Sequence, residues 1–471
     1  MPVVRRTRIV ATVGPASRDA GTLRKLMAHV DVFRINFSHG DRASHLEEIM
    51  NIRAEARRAS RTVAILQDLP GPKIRVGKIA GGSVDLARGG TLRLVPEDIE
   101  GNSSLISVNY PELLRSVRKG DLLHLADGVI RLRVDENSSE GVRCTVVVGG
   151  TLSSGKGVNA PGVRMKIEYP TKADAGHLKF GLAHGVDFVA ASFVRTVSDL
   201  KALRRLIPSD GPLVIAKIEK KEAVRNIEAI LDEADGVMVA RGDLGIEVPI
   251  ETVPAIQKDI IAKCNGAGKP VIVATQMLVS MVNFPVPSRA EVTDVSTAIL
   301  DGTDAVMLSD ETTVGRYPVE SVLMLDRIAR STEKSLGGPG RMPAEKGPRE
   351  TGSAIARAAV RLADYVQAKA IVAPTQTGTT ARRVSMYRPS QPIVALCTGG
   401  RVARQLKLCM GVIPLVSRPA KTMDLLFERA DEAAERTGLA KKGDRIVVTS
   451  GTPGMKGTTN LIKVSVVGSP A

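Results

Sequence analysis

A β/α rhythm that breaks once and then resumes limits the folds open to this chain more than any other feature. Short apolar runs at Thr7–Val13, Val32–Phe37 and Val63–Asp68 alternate with the helix-like segments Asp19–His29 and Ala43–Ala59. Strand, helix, strand in that order implies parallel pairing through right-handed crossovers. From Val76 to about Lys166 the alternation stops. That stretch is rich in Gly, Val and Ser, carries period-two runs such as DLLHLADGVIRLRV, and has turn glycines at Gly81–Gly82, Gly89–Gly90 and Gly149–Gly150. It predicts a compact antiparallel β module. The rhythm returns at Thr171 and gives five more strands: Val186–Ser192, Leu213–Glu219, Gly236–Ala240, Pro270–Thr275 and Ala305–Ser309. Helical segments accompany them at Thr171–Ala183, Val197–Leu206, Glu222–Leu231, Val253–Asn265, Arg289–Leu300 and Val319–Ala329. Three strands and five make the eight of a TIM (β/α)8 barrel with a domain inserted after its third strand.

Beyond a Gly/Pro-rich linker, Gly337–Pro348, a fresh α/β pattern runs from Thr351 to Gly468 and predicts a C-terminal α/β domain with a mostly parallel sheet. The expected organisation is barrel over residues 1–75 and 168–336, an inserted antiparallel β-barrel lid over 76–167, a linker over 337–350 and the last domain over 351–471. A chain of 471 residues is long enough for several cores. No apolar run approaches the ~20 residues that span a bilayer, so no membrane association is expected. The basic start breaks at Gly14–Pro15, which argues against a signal peptide. The four cysteines form no CxxC pair, as in a reduced, cytoplasmic protein. The net charge of +16 could serve nucleic acid, small polyanionic substrates or nothing specific. With 3% aromatic residues and no tryptophan, base-stacking surfaces would be scarce, and no nucleic-acid partner is expected.

Active sites of such barrels lie at the carboxyl ends of the strands. LVIAKIE (Leu213–Glu219) and VMVARGDLG (Val237–Gly245) each run from buried strand into charge. Glu219 and Asp243 give two carboxylates from neighbouring strands, as a hard divalent cation needs. Lys217 shares a strand face with Glu219. The other strand ends add Arg34, Asn36, Ser38 and His39; Asp68, Lys73 and Arg75; Ser192 and Arg195; Arg241 and Gly242; Thr275 and Gln276; Ser309 and Glu311. Any one of these reads equally as a surface ion pair. Together they point to phosphoryl or enolate chemistry on a metal.

The same segments carry a close resemblance. RINFSHG (Arg34–Gly40), DLPGPKIR (Asp68–Arg75), SGKGVNAPG (Ser154–Gly162), AKIE (Ala216–Glu219), VMVARGDLGIEVP (Val237–Pro249), GKPVIVATQML (Gly268–Leu278) and DAVMLSDET (Asp304–Thr312) are similar to the pyruvate kinase family, as is SGTPGMKGTTNLIKV (Ser450–Val464). The resemblance implies transfer of the phosphoryl group of phosphoenolpyruvate to ADP, giving pyruvate and ATP. It assigns Glu219 and Asp243 to Mg²⁺ or Mn²⁺, and Lys217 to the phosphoryl group in flight. Arg34 would clamp that phosphate. Gly242 and Asp243 would receive the substrate carboxylate through their N–H groups. Thr275, with Ser309, would deliver the proton that completes pyruvate. Asn36, His39, Arg75 and Lys156 would meet the nucleotide, and Asp127 would be the acidic contribution of a mobile lid. A homotetramer is also implied.

Lys73 departs from the commoner pattern, in which glutamate stands there and K⁺ is held by the counterparts of Asn36, Ser38 and Asp68. An ammonium at that place can replace K⁺, so activity without K⁺ is expected. Asp310 stands where glycine is frequent, for no reason the sequence gives. In the last domain the loop Thr375, Thr377, Gly378, Thr379 and Thr380 can cradle a phosphate, and the similar loop in the family takes a phosphorylated allosteric effector. Two other readings compete: a metal-dependent pyruvate aldolase or lyase, which would not need the lid or Lys156, and a non-catalytic regulatory relative, which would not need Lys217, Glu219, Asp243 and Thr275.

Overall fold

The computed structural model describes residues 5–163, 165, 168–336, 350–452 and 459–469. Of the expected linker, only residue 350 is among them. Eight parallel strands close a barrel: β1 (Arg8–Thr12), β2 (Val32–Asn36), β3 (Ala64–Asp68), β4 (Phe188–Ala191), β5 (Leu213–Ile218), β6 (Gly236–Ala240), β7 (Val271–Ala274) and β8 (Ala305–Leu308). The closing pair sets Arg8 opposite Ala305 and Ala11 opposite Leu308. These strands are covered on both faces, and so they read as continuous apolar runs. Inward residues Val10, Val32, Leu66, Ala190, Ile215, Met238, Ile272 and Met307 fill the barrel. Outward residues Ile9, Phe33, Ile65, Val189, Val214, Val237, Val273 and Val306 pack with the surrounding apolar shell.

The helices start where their caps direct. Asp41 with Ser44, Thr171 with Asp174 and Ser288 with Glu291 form reciprocal capping boxes. The helix expected over Glu222–Leu231 is two, Lys221–Arg225 and Ile227–Glu233. They meet at Asn226, whose Nδ2 donates to the Arg195 carbonyl at 2.9 Å. Among the described residues no helix is long and apolar enough to cross a membrane.

The inserted module makes a six-stranded sheet in the order Val158–Asn159, Leu122–Leu125, Ile130–Ser138, Gly141–Val148, Thr91–Val95 and Leu105–Ser107. A separate two-stranded sheet pairs Gly150–Ser153 with Ser83–Leu86. Pairing is antiparallel except between Thr91–Val95 and Leu105–Ser107. Alternation along the longest strand buries Ile130, Leu132 and Val134 in the module's own core. The C-terminal sheet runs Val412–Val416, Ile393–Cys397, Ala370–Thr375, Arg445–Ser450, Leu461–Val466, parallel but for its last pair. Its first strand and the helix Met423–Arg436 are additions to the sequence expectation.

The amino end of the barrel is where the C-terminal segment docks. Asp31, Asp187 and Asp304 precede β2, β4 and β8, and each accepts an N–H from an adjacent strand: Ile9, Ile65 and Val271 respectively. Their remaining charge meets Lys407, Arg404 and Arg388, at 2.7, 2.7 and 2.8 Å. Leu408 completes the apolar interior of the barrel from this side. Arg388 also reaches Asn265 Oδ1 and the Gly302 carbonyl. An Arg388→Leu variant leaves Asp304 buried without its cation, a change that costs about 3–5 kcal/mol in such settings. Thermal unfolding should show a midpoint several degrees lower, and an unchanged midpoint would contradict the docking account.

Candidate active site

At the opposite, carboxyl end of the barrel, the interior layer turns polar. Strand alternation carries Val10 to Thr12, Val32 to Arg34, Leu66 to Asp68 and Ile215 to Lys217 on the same inner face. Asp68 is the hub. Its Oδ2 accepts from Arg34 Nε at 2.7 Å, and its Oδ1 accepts from Lys217 Nζ at 3.2 Å and from Ser192 Oγ at 3.2 Å. Lys217 Nζ also donates to Ser192 Oγ at 2.7 Å, and Arg34 Nη1 donates to Thr12 Oγ1 at 2.9 Å. Burial alone would push the Asp68 carboxyl up, but Lys217 and Arg34 outweigh it and hold it below the usual range. Burial likewise disfavours charge on Lys217, yet Asp68 and Glu219 outweigh it and raise the ammonium above its ordinary value. The lysine is a fixed cation.

Glu219, 1% exposed, is anchored at one oxygen only. Its Oε2 accepts the Phe193 N–H at 2.7 Å. Its Oε1 lies 2.8 Å from Lys217 Nζ but has no partner in hydrogen-bond geometry among the described residues. Asp243, across the strand gap, is pushed up to about 6 by burial and then by the like charge of Glu219. Asp243, buried beside a second acid, stays raised despite Lys217, Lys73 and Lys220, so further positive charge there would be favourable. A divalent cation supplies it, and two protein carboxylates are what Mg²⁺ takes where phosphates supply other ligands.

Arg34, Asn36, Ser38, Lys73, Lys217, Glu219, Asp243 and Thr275 line one cavity, closed below by Met238 and Met307. A larger cleft opens beside it toward the inserted module. His39, Lys73, Arg75, Asp127, Lys156, Arg195, Lys220 and Asp243 line that cleft. Asn36, expected with the nucleotide group, is on the inner cavity instead, and its Oδ1 accepts the Ser38 N–H. The Gly242 N–H donates to Thr275 Oγ1 at 2.9 Å, so in this state the hydroxyl occupies the place expected for a substrate carboxylate. Ser309 does not line the cavity; its Oγ is buried and has no hydrogen-bond partner among the described residues. Glu311 braces that corner by accepting the N–H groups of Leu278 and Ser309. Burial, then the charge of Lys217, lowers the Lys73 ammonium from its ordinary value, with Asp243 offsetting part of that.

Two profiles of known families match the sequence: the pyruvate kinase barrel domain over residues 4–322 and the pyruvate kinase alpha/beta domain over residues 353–465. Curated relatives match along the whole chain. Pyruvate kinase 2 of Synechocystis sp. is 46% identical, covering 99% of this chain and 80% of the relative. Pyruvate kinase of Thermococcus litoralis is 44% identical, covering 98% of both.

The chain belongs to the pyruvate kinase family.

A crystal structure of a pyruvate kinase from Cryptosporidium parvum superposes with a TM-score of 0.91 at 37% identity, covering 98% of this chain and 96% of that one. The activity is therefore that of a pyruvate kinase, a phosphotransferase that acts on phosphoenolpyruvate and ADP in glycolysis.

Some members of the polar layer had no role in the sequence reading. Ser192 links Lys217 to Asp68, Thr12 steadies Arg34, and the Phe193 N–H fixes Glu219. Their one legible signal was position at or just past a strand end. Phe193 has φ of +57°, a conformation rare for its residue type, and nothing in its sequence neighbourhood announces that.

Proposed function

We propose that Lys217, Arg34, Glu219, Asp243 and Thr275 perform pyruvate kinase chemistry at the polar mouth of the barrel. The observation that carries this reading is two buried acids on one cavity beside Lys217: Glu219, whose Oε1 meets only the Lys217 ammonium, and Asp243, raised to about 6 by burial and then by Glu219. Glu219 and Asp243 would hold Mg²⁺ or Mn²⁺, which when bound polarises substrate oxygens and draws charge from them. Arg34 presents a planar fork to the phosphate. Lys217 offsets the charge spread over the phosphoryl oxygens as they pass in line to the terminal oxygen of ADP. The bond from phosphorus to the enol oxygen breaks, and its electrons remain as the enolate. Thr275 relays a proton taken from water to the methylene carbon, which completes pyruvate; Ser309, expected to share the relay, has no hydrogen bond to it among the described residues. Thr275 Oγ1 must first leave the Gly242 N–H, which then receives the substrate carboxylate together with that of Asp243. His39, Arg75 and Lys156 bind the nucleotide phosphates, with Asn36 on the inner cavity. Closure of the inserted module, with Asp127 at its tip, excludes water from the transfer.

Lys73 borders both cavities and supplies the positive charge that K⁺ brings elsewhere in the family, beside Asn36, Ser38 and Asp68. The enzyme therefore works without K⁺. Full turnover is expected in a buffer whose monovalent cation is tetramethylammonium; a large rise on adding KCl would contradict it.

The C-terminal loop binds a phosphorylated effector. Thr375, Thr377, Thr379 and Thr380 line a cavity with Arg418 and Arg429. Gly378 turns the chain at φ +83°, and its N–H donates to Thr375 Oγ1. Titration of sugar phosphates and AMP should give binding that a Thr375/Thr377/Thr380 triple alanine variant loses; equal binding by both would exclude the loop. Exposed apolar side chains at Val279, Phe284 and Val286 support burial against other copies in a homotetramer. Four buried free thiols suit the reducing cytoplasm.

A further inference from the structure

Arg241 follows β6 directly, opening the short helix Arg241–Glu247 at the rim of the site, and has no part in the chemistry above, yet its guanidinium is engaged on every side. Nε and Nη2 donate to the Thr275 carbonyl at 3.2 and 2.7 Å, and Nη2 donates to the Gln276 carbonyl at 3.1 Å. Nη1 donates to Asp294, 2.7 Å away on the helix Arg289–Leu300. The arginine side chain is 10% exposed.

The turn it grips is strained. Thr275 has φ of +68° and Gln276 of +55°, two successive residues in the left-handed region without a glycine. A β-branched residue there is an outlier that persists only where its surroundings over-determine it. Released, Thr275 would relax toward ordinary backbone and carry its hydroxyl away. As held, Oγ1 meets the N–H of Gly242, the residue next to Arg241. The side chain holds the threonine by its carbonyl, a grip that does not depend on the Gly242 contact the hydroxyl must give up to substrate.

We propose that Arg241, oriented by Asp294, is a positioning residue that aims the Thr275 hydroxyl for proton delivery. The inference rests on the reading of Thr275 given above. Planar, multi-donor geometry is the reason for arginine: its rigid fork holds both carbonyls and Asp294 at once, which an ammonium on a flexible stem would not fix.

The test is a double-mutant cycle in the full-length enzyme with Arg241→Met, Arg241→Lys and Asp294→Asn, each alone and with Thr275→Ala. Measured are kcat, KM for each substrate, the thermal midpoint, and exchange of pyruvate methyl protons with D2O in the presence of Mg²⁺ and ATP. Misplacement of a catalytic group by about 1 Å costs on the order of 100-fold. Arg241→Met should therefore lower kcat and proton exchange by about 10- to 100-fold, with KM for ADP unchanged. Arg241→Lys should recover part of that loss, and Asp294→Asn should show a smaller one. In the Thr275→Ala background Arg241→Met should add almost nothing, because the group it aims is gone. An equal loss with and without the hydroxyl overturns the proposal while leaving the role of Thr275 intact. Wild-type exchange in Thr275→Ala alone overturns both. Should Arg241→Met fail to fold, Arg241→Lys and Asp294→Asn carry the same comparison.

Discussion

The Lys217→Met enzyme should lose phosphoryl transfer by about 10³- to 10⁵-fold, the range seen when a cation that offsets transition-state charge is removed, while pyruvate proton exchange survives. Methionine keeps most of the length and removes the charge. In phosphoryl transfer the protein does little covalent work, so a positive group fixed beside the migrating phosphoryl is a large share of what it contributes. Lys217 is preorganised for this by Asp68, Ser192 and Glu219, at 3.2, 2.7 and 2.8 Å. Exchange needs only the metal acids and Thr275, which the substitution leaves in place. Asp68 keeps its contact with Arg34, so the folded state should survive with a lowered thermal midpoint. Full ATP synthesis by this variant would contradict the role given to the lysine.

The second large effect is Glu219→Gln. It should abolish tight divalent-metal binding and lower kcat/KM by about 10³-fold or more, since a Lewis acid supplies several kcal/mol at such sites. Both phosphoryl transfer and proton exchange should fall together, unlike the split seen with Lys217→Met. The amide can still accept the Phe193 N–H, so the strand end keeps its shape. Paramagnetic titration with Mn²⁺ measures the loss directly. The remaining carboxyl of Asp243 should then titrate nearer its ordinary value, because Glu219 is one of the two leading causes of its rise. Unchanged Mn²⁺ affinity would remove Glu219 from the metal site.

How far the sequence carried this account depended on whether one physical signal dominated a stretch. The barrel strands were plain because burial on both faces keeps the runs apolar, Gln67 apart, until they meet Arg34, Asp68 or Lys217. Catalytic-end charges were plain for the same reason, since they are the point where the apolar run stops. Val412–Val416 escaped because Pro414 sits inside it; the strand lies at an edge of its sheet, where a proline is tolerated. The helix Met423–Arg436 escaped because its buried stripe is largely alanine, Ala430, Ala433 and Ala434 with Leu426, set among many charges. Ser192 and Thr12 act only through partners far away in the chain, so nothing local beyond their place at a strand end marks their roles. The Arg241 clamp was equally hidden: its partners are the carbonyls of Thr275 and Gln276, which are the same in any residue. Asp310 remains without a structural explanation.

The most direct test of the central claim is a crystal structure of the enzyme with Mn²⁺ and oxalate, a mimic of the enolate. The account predicts a single metal ion bridging Glu219 and Asp243 with oxygen ligands at about 2.1–2.2 Å. Oxalate should join that shell, with waters filling the rest, Lys217 Nζ beside it and Thr275 Oγ1 released from the Gly242 N–H. An ion bound elsewhere, or Glu219 still closed on Lys217 with the two acids turned apart and no ion between them, would contradict it.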